Sequence, residues 1–270
     1  RIPHDTAYDS ADPNARIVCA TVSGRNGPKL CNQSFDIILM DEAGQVCEAS
    51  AWGLLRPDVC ILIMGGDIRQ LPQTVSDVGK QNMHDRSMMK RLMQLGYPRT
   101  ELCVQRRMSR NIVDFPNTTF YEGRLETDLG DRQELDDDFA LHHVDGSESN
   151  EGSSFYNLDE IKSIKKLVKG MEDVVVLTGY GAQCRRMSQT LKCPVHTIDS
   201  FQGREANRIV ISVVRTCNPG FWNDERLNVA LTRARQWIRI VGNTSSPAWK
   251  CPPLSTLYDY CDPKKCIRNV

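Results

Sequence analysis

Short apolar runs, rich in β-branched residues, recur along the chain and are separated by stretches with helical spacing. The runs cover 17–22 (IVCATV), 35–40 (FDIILM), 59–64 (VCILIM), 173–178 (DVVVLT), 208–214 (RIVISVV) and 237–241 (WIRIV). Helical spacing marks 85–95, 158–170, 180–191 and 226–235. Strands that are apolar on both faces and alternate with helices predict an α/β fold with parallel sheets covered on both sides. In such sheets ligands bind at the carboxyl ends of the strands.

Breaks in this pattern predict two domains and a tail. Gly96 and Pro98 interrupt a helix before a new strand near Leu102, so we place the boundary there and expect domains at 1–98 and 99–245. Residues 126–157 are acidic and rich in Ser and Gly, which predicts a surface insertion in the second domain. Residues 246–270 contain several prolines and predict an irregular C-terminal tail.

Charge, hydropathy and cysteine content indicate the kind of partner and the cellular compartment. The 34 basic and 34 acidic residues cancel, so nucleic-acid binding would require a local groove rather than an overall field. No apolar run approaches the roughly 20 residues that span a bilayer, and residues 1–16 lack a signal-peptide pattern. Eleven scattered cysteines fit reduced thiols better than a disulfide framework. We predict an intracellular protein without membrane attachment, cytoplasmic rather than nuclear.

Two adjacent acids end the second apolar run. Asp41 and Glu42 follow Met40 directly, where a parallel sheet would open its ligand crevice. One acid there can hold Mg²⁺ while its neighbour orients an attacking water, as nucleoside triphosphate hydrolysis requires. An isolated Asp-Glu pair is also compatible with a simple polar turn, so this pair alone leaves both interpretations open.

The next strand ends in polar residues as well. The run 59–64 leads into Gly65, Gly66 and Asp67, and Gln70 follows. A glutamine amide can donate to a γ-phosphate and hold a water, so two consecutive strands would deliver phosphate-binding groups to one edge. A glycine turn with exposed polar residues is the alternative.

Arginines cluster in two later segments. Gln105, Arg106 and Arg107 follow a short apolar stretch, and guanidinium groups bind phosphate oxygens in bidentate geometry. The segment ERLNVALTRARQW holds further arginines, which we expect on the polar side of a helix whose buried stripe includes Ala234. Either group of arginines could equally be a solvated surface.

Together these segments resemble a known family. FDIILMDEAGQ, GGDIRQLPQ, QRRMSRNIVDFPNTTFYEGRL, LTGYGAQ, VHTIDSFQGREANRIVISVVRT and ERLNVALTRAR occur in the order and at about the spacing of the later motifs of superfamily 1 helicases. The resemblance covers roughly residues 16 to 243 and is greatest to superfamily 1B, in the branch of the up-frameshift helicase of nonsense-mediated decay. It implies two RecA-like parallel-sheet domains of the P-loop NTPase fold, 1–98 and 99–245.

The resemblance also implies a role for individual residues. Asp41 would hold Mg²⁺, Glu42 would activate water and Gln70 would sense the γ-phosphate of ATP. Arg107 and Arg233 would act as arginine fingers from the second domain. The remaining implied contacts are Arg106, Gly203 and Glu205 with the nucleotide, and Thr197, Tyr180 and Gln183 with nucleic acid.

The implied activity is ATP-dependent unwinding of RNA or DNA, with ATP hydrolysed in the cleft between the two domains. The partner would be single-stranded or tailed nucleic acid, RNA rather than DNA, gripped by its backbone, and the motor would work as a monomer. A second interpretation is a non-catalytic nucleic-acid clamp or scaffold that retains the helicase fold.

The chain departs from the family pattern at several positions. Arg106 stands where a tyrosine is common, Gly179 replaces a proline, and Asn207 replaces an acid. No GxxxxGK[ST] loop occurs anywhere in the 270 residues. That loop supplies the amides and the lysine that cradle the phosphates, so we expect an N-terminally truncated first domain and little ATP hydrolysis by this chain alone.

Overall fold

The computed structural model describes residues 15–28 and 30–269, which form two units. Unit 1 is Arg1–Thr100 and unit 2 is Glu101–Val270, and this division lies within two residues of the boundary expected from the sequence. The N-terminal stretch that lacks a signal-peptide pattern lies almost wholly outside the described residues. Within the described part, no helix is both long and apolar enough to cross a membrane.

Unit 1 is built on two parallel strands with short helices on one side. Its strands are β1 (Ile37–Met40) and β2 (Ile61–Met64), paired in register from Ile37 with Ile61 to Met40 with Met64. Its helices are α1 (Val22–Arg25), α2 (Glu48–Trp52), α3 (Asp77–Gln81) and α4 (Met88–Gln94), and a 3₁₀ helix spans Ala43–Gln45.

The unit 1 sheet is covered on one face by the described residues, which corrects the prediction of two covered faces. Ile38, Met40 and Leu62 pack into a core with residues of α2 and α4. On the opposite face Ile37 and Leu39 are 57% and 71% exposed, and the partner strand repeats this alternation. The apolar runs therefore identified the strands correctly but not their surroundings.

A third strand was also expected in unit 1, at 17–22, and this prediction was wrong. Residues 17–21 have no regular structure, and Val22 begins α1 instead. Thr21 caps that helix, because its hydroxyl oxygen accepts a hydrogen bond from the Gly24 N–H at 3.0 Å. A β-branched run forms a strand only where a neighbouring strand pairs with it, and none does so here among the described residues.

Unit 2 contains a six-stranded parallel sheet in the order β12-β5-β11-β10-β8-β9. Its strands are β5 (Phe139–His143), β8 (Val174–Thr178), β9 (Val195–Thr197), β10 (Ala206–Ser212), β11 (Ala234–Gly242) and β12 (Ile267–Asn269). Outside it lie two short pairs, parallel β3 (Val104–Gln105) with β4 (Glu126–Thr127) and antiparallel β6 (Ser149–Glu151) with β7 (Ser154–Tyr156).

Helices surround this sheet. They are α5 (Arg110–Phe120), α6 (Leu158–Leu167), α7 (Gly181–Thr190), α8 (Ile198–Phe201), α9 (Asp224–Leu231) and α10 (Leu254–Cys261), with a 3₁₀ helix at Pro247–Lys250. Consecutive β10 residues Ile209, Val210 and Ile211 are fully buried, so both faces of this sheet are covered. The prediction of a parallel sheet covered on both sides is therefore confirmed for unit 2.

Three predictions about unit 2 need correction. The expected surface insertion at 126–157 contains β5, which is a buried inner strand of the sheet. The expected irregular tail contains α10 and β12, and β12 forms one edge of that sheet. The helix expected at 226–235 ends at Leu231, and Ala234 begins β11. In each case the pairing of strands in the sheet, which is non-local, overrides the local composition.

Candidate nucleotide and nucleic-acid sites

The loops that follow β1 and β2 in unit 1 are locked together by their backbones. The Ala43 N–H donates to the Gly65 carbonyl oxygen at 2.8 Å, and the Gly65 N–H donates to that of Met40 at 2.9 Å. A Cβ atom on Gly44 would lie 2.6 Å from the Asp67 carbonyl oxygen, and one on Gly66 would lie 2.9 Å from the Ala43 nitrogen. Only glycine permits this approach, which explains both glycine positions in DEAG and GGD.

This interlock places the predicted acids and the glutamine at the carboxyl ends of the two strands. Asp41 is exposed, and its Oδ1 accepts a hydrogen bond from the Glu42 N–H at 3.0 Å. Glu42 has a left-handed backbone with φ of 52°, and its Oε2 accepts from Gln45 Nε2 at 2.9 Å. Gln70 Nε2 donates to Asp67 Oδ2 at 3.2 Å.

In unit 2, the predicted nucleotide-binding residues gather at the amino ends of β10 and β11. Arg107 Nε donates to Glu205 Oε2 at 2.6 Å, and its Nη1 donates to the Thr232 carbonyl oxygen at 2.9 Å. Glu205 directly precedes β10 and also pairs with Arg235 Nη1 at 3.3 Å. Gly203, two residues earlier, lies exposed with φ of 74°. The structure thus brings four charged or turn-forming positions to one edge of the sheet.

Arg233 occupies the same region but lies inside the protein, 2% exposed, rather than on the polar side of a helix. Its Nε donates to the Val229 carbonyl oxygen at 2.9 Å and its Nη2 donates to the Thr232 hydroxyl at 3.1 Å. The helix ends before this residue, so its side chain turns back beneath the last turn of α9. In this arrangement the guanidinium braces the start of β11.

Arg106 lies on the surface beside this group. Its Nε donates to Asp128 Oδ2 at 2.9 Å in an exposed ion pair, which contributes little to stability. The guanidinium of Arg132 donates to the backbone carbonyls of both Arg106 and Arg107. The segment expected to be an insertion therefore supports the arginine loop, and nothing in its composition signalled this.

The predicted nucleic-acid residues lie at the opposite, carboxyl edge of the same sheet. Thr197 ends β9 and caps α8, because its Oγ1 accepts from the Ser200 N–H at 3.3 Å. Tyr180 follows β8 but is only 1% exposed, and its hydroxyl oxygen accepts from the Phe221 N–H at 3.1 Å. Burial raises the pKa of this phenol.

Gln183 is fully buried, which corrects the prediction that it touches nucleic acid directly. Its amide nitrogen donates to Ser212 Oγ at 2.8 Å, and its oxygen accepts from the Asn157 N–H at 3.0 Å. Tyr180 needs the same correction, because its ring is enclosed. Both residues support the carboxyl edge from within rather than lining it.

A buried glutamate completes this internal network and was missed by sequence reasoning. Glu160 accepts hydrogen bonds from Ser212 Oγ at 2.5 Å and from the Val214 N–H at 2.9 Å. Burial raises its pKa to about 8. Val214 has φ of 71°, a strained conformation for a β-branched residue, at the point where the chain leaves β10. The Glu160 carboxyl holds that turn in place.

The chain is similar to known protein families and to several named helicases. Two family models, both described as AAA domain, match residues 5–77 and 84–245. An uncharacterised ATP-dependent helicase of Methanocaldococcus jannaschii is 35% identical over 85% of this chain and 39% of its own length. The regulator of nonsense transcripts 1 of Dictyostelium discoideum is 32% identical over 87% and 21%, and a 5'-3' DNA helicase of Mus musculus is 32% identical over 85% and 14%.

The chain spans about two fifths or less of the length of these relatives. Among solved structures, the arterivirus nonstructural protein 10 helicase overlaps it with a TM-score of 0.46 at 17% identity, over 81% of this chain and 40% of that one. The overlap is partial, and the assignment of the fold rests on the parallel sheets and on the matched family.

Proposed function

Because the chain belongs to the superfamily 1 helicases, in the up-frameshift-like branch with RecA-like α/β domains, we propose that it forms the motor part of an ATP-dependent helicase or translocase. Its substrate is single-stranded or tailed nucleic acid, with RNA favoured over DNA, and the motor acts as a monomer. The eleven free cysteines suit a reducing compartment, the cytoplasm.

The interlocked loops after β1 and β2 carry this proposal. They hold two acids and a glutamine at adjacent strand ends, where a nucleoside triphosphate binds in sheets of this kind. Glu42 would accept the proton of the attacking water, and Gln70 would contact the γ-phosphate.

Asp41 fits the role of a Mg²⁺ ligand. The ion takes one or two carboxylates and completes its octahedron with water and substrate phosphates. The Asp41 carboxylate is exposed, and its Oδ1 accepts a hydrogen bond from the Glu42 N–H. When bound, Mg²⁺ would neutralise charge on the β- and γ-phosphates.

The arginines of unit 2 supply the positive charge that phosphoryl transfer needs. Arg107 is the accessible candidate finger, about one third exposed and poised on Glu205. Exchange of that carboxylate for phosphate oxygens would keep its hydrogen bonds satisfied. Arg233 would have to leave its backbone partners to take the same role. By resemblance to the family, Glu205 would face the ribose, and Arg106, which stands where a tyrosine is common, would face the base.

The second candidate function is a non-catalytic clamp on nucleic acid. It is favoured by the absence of a GxxxxGK[ST] loop in the 270 residues. Preserved acids and a poised Arg107 have no use in a clamp, so hydrolysis remains the leading proposal. Because the 270 residues contain no GxxxxGK[ST] loop to cradle the phosphates, we expect this chain alone to hydrolyse ATP slowly.

The test uses the longest natural protein that contains this chain, called the full protein below. Glu42→Gln should lower the strand-stimulated rate of ATP hydrolysis by about 10²–10⁴-fold, because a positioned general base contributes that much. Binding of a fluorescent single strand should stay unchanged. Asp77→Asn, an exposed acid of α3, is the matched control and should retain activity.

Equal hydrolysis by wild type and Glu42→Gln would contradict the assignment of Glu42. A full protein that binds single strands but hydrolyses no ATP would favour the clamp. Unwinding of tailed RNA duplexes and tailed DNA duplexes, compared side by side, tests the preference for RNA.

A further inference from the structure

The loop between β10 and α9 presents an aromatic ring to solvent. Phe221 is 58% exposed, although the chain on either side of it is anchored in unit 2. The neighbouring Trp222 is buried, and its indole nitrogen donates to the Val213 carbonyl oxygen at 3.0 Å. The Phe221 side chain is therefore exposed although the loop that carries it is firmly anchored.

The backbone of Phe221 is fixed from two sides. Its N–H donates to Tyr180 Oη at 3.1 Å, and its carbonyl oxygen accepts from Arg226 Nη1 at 2.6 Å. Gly220 makes the approach possible, because a Cβ atom there would lie 2.5 Å from the Tyr180 hydroxyl. The turn before the ring is thus determined by close packing.

The ring itself is supported on one face. Its centroid lies 5.6 Å from that of buried Tyr180, and the two planes differ by 25°. Tyr180 is in turn held edge-on by Phe155 at 5.8 Å. The stack therefore holds Phe221 on a rigid base, with the Arg226 guanidinium carbon 5.8 Å from the ring centroid and more than half of the side chain exposed. A rigid aromatic ring of this kind loses little entropy when a second flat ring binds to it.

Phe221 is connected through hydrogen bonds to the helix that begins at Thr197, the residue expected to touch the nucleic-acid backbone. Arg226, which holds the Phe221 carbonyl, also makes two hydrogen bonds to the Asp199 carboxylate, at 3.0 and 3.1 Å. Asp199 lies in α8, whose N-cap is Thr197. One arginine therefore connects the ring to the Thr197 turn, and both belong to the carboxyl edge of the sheet.

We propose that Phe221 is a stacking platform for one base of a bound single strand. The proposal rests on the proposed function and adds a base contact to it. An aromatic face accepts any base, which suits a motor that moves along arbitrary sequence. The Arg226 charge is paired with Asp199, so this contact would act through the ring rather than through charge.

Because the Arg226 charge is already paired, we expect a specific dependence of strand affinity on salt concentration. Contacts to phosphates release counterions, so their contribution falls as salt rises, whereas stacking releases none. Loss of the Phe221 ring should lower affinity by the same factor at every salt concentration. Plots of log affinity against log salt for wild type and variant should run parallel.

The experiment measures fluorescence anisotropy of labelled strands bound to the full protein. One strand carries bases throughout, and a second of equal length is abasic in its central part. Phe221→Ala should weaken binding of the first by about five- to 150-fold, the usual effect of one base–aromatic stack, and should leave the second unchanged. Phe221→Tyr should bind both strands like wild type.

Controls separate the contact from folding. Trp52→Ala removes an aromatic residue of similar exposure from unit 1 and should not change affinity. Melting temperatures of all variants should agree within a few degrees. A 2-aminopurine base that changes fluorescence with wild type but not with Phe221→Ala reports the stack directly.

The outcomes are distinct. Unchanged affinity of Phe221→Ala for the base-containing strand would overturn the platform, and the ring would then serve another surface such as a protein. Equally weakened binding of both strands would also overturn it, because the ring would then maintain the protein structure and would not stack on a base. If wild type binds neither strand, the proposed function itself fails.

Discussion

The two edges of the unit 2 sheet carry opposite chemistry. At the amino ends of β10 and β11, charged groups dominate: Arg107, Glu205 and Arg235 form a chain of ion pairs. At the carboxyl ends of β8, β9 and β10 lie the Thr197 hydroxyl, the stacked rings of Phe221 and Tyr180, and Arg226, whose charge is paired with Asp199. The amino edge therefore carries the groups proposed to bind the nucleotide, and the carboxyl edge carries those proposed to bind the nucleic-acid strand.

This difference limits a general rule about parallel sheets. Ligands are expected at carboxyl ends, and unit 1 follows that rule with Asp41, Glu42 and Gln70. Unit 2 places its candidate nucleotide residues at the other edge. If the separation is functional, a change at one edge should affect hydrolysis alone, and a change at the other should affect binding of the strand alone.

The largest effect is expected from Arg107→Ala at the amino edge. An arginine finger contributes about 10³–10⁵-fold to the rate of phosphoryl transfer, so the strand-stimulated ATPase rate of the full protein should fall by that order. Affinity for single strands should not change. Arg110→Ala, an exposed arginine paired with Glu134, is the matched control.

A fall in strand affinity with Arg107→Ala would break the proposed separation of the two edges. Unchanged hydrolysis would instead move the finger role to Arg233 or Arg235. Arg235→Ala then distinguishes these two, because its side chain is partly exposed whereas that of Arg233 is not.

A smaller effect is expected in the interlocked loops of unit 1, which are proposed to bind the nucleotide as the amino edge of unit 2 does. Gly44→Ala forces a Cβ atom against the Asp67 carbonyl oxygen and should destabilise the paired loops by about 1–3 kcal/mol, as overpacking does. The control is Gly65→Ala, because a Cβ atom at Gly65 meets nothing within 4 Å. Hydrogen exchange of the Ala43 and Gly65 N–H groups, which form the interlock, measures the difference between the two variants. Equal stability of the two variants would contradict the interlock.

The smallest change, expressed per pH unit, is expected at the carboxyl edge. In the folded protein Glu160 has a pKa of about 8, above its ordinary value of 4.5, so the folded state retains a proton that the unfolded state releases. Its stabilising contribution is therefore complete at low pH and is lost as pH rises towards and through 8, by at most about 1.4 kcal/mol per pH unit.

Glu160→Gln removes this titration. The difference in unfolding free energy between wild type and variant should therefore shift against wild type between about pH 4.5 and 8 and level off above that, and denaturant titrations at several pH values measure it. The exposed Glu172→Gln is the control and should follow wild type. A constant difference for Glu160→Gln would show that Glu160 does not hold its proton.

Several elements could be predicted from the sequence because their signals are local. The runs at 35–40, 173–178 and 208–214 became β1, β8 and β10, and the apolar spacing at 158–170 became α6. Asn157 starts that helix by accepting hydrogen bonds from two N–H groups, and acids and lysines occupy its ends.

Other elements depend on partners that are distant in the sequence. The strand β5 reads FALHH between acidic segments, and only pairing with β11 and β12 makes it an inner strand. Exposure of Ile37 and Leu39 depends on which layers cover the sheet, which an apolar run does not encode. Burial of Tyr180 depends on Gly220 and Phe155, forty and twenty-five positions away.

The candidate site shows the same limit. Motif order predicted roles for Asp41, Glu42, Gln70 and Arg107, and the first three follow the adjacent parallel strands β1 and β2. Motif order could not indicate the role of Phe221, because an aromatic residue after Asn-Pro-Gly is equally typical of a buried turn. Only its exposure and its stack on Tyr180 distinguish the two.

The most direct test of the separation between the two edges is the ATPase rate of the full protein as a function of single-strand concentration. We predict that Arg107→Ala lowers the maximal rate and leaves the half-saturating strand concentration unchanged. Phe221→Ala should raise the half-saturating concentration about five- to 150-fold and leave the maximal rate unchanged. If each variant changed both quantities together, the two edges would not have separate functions.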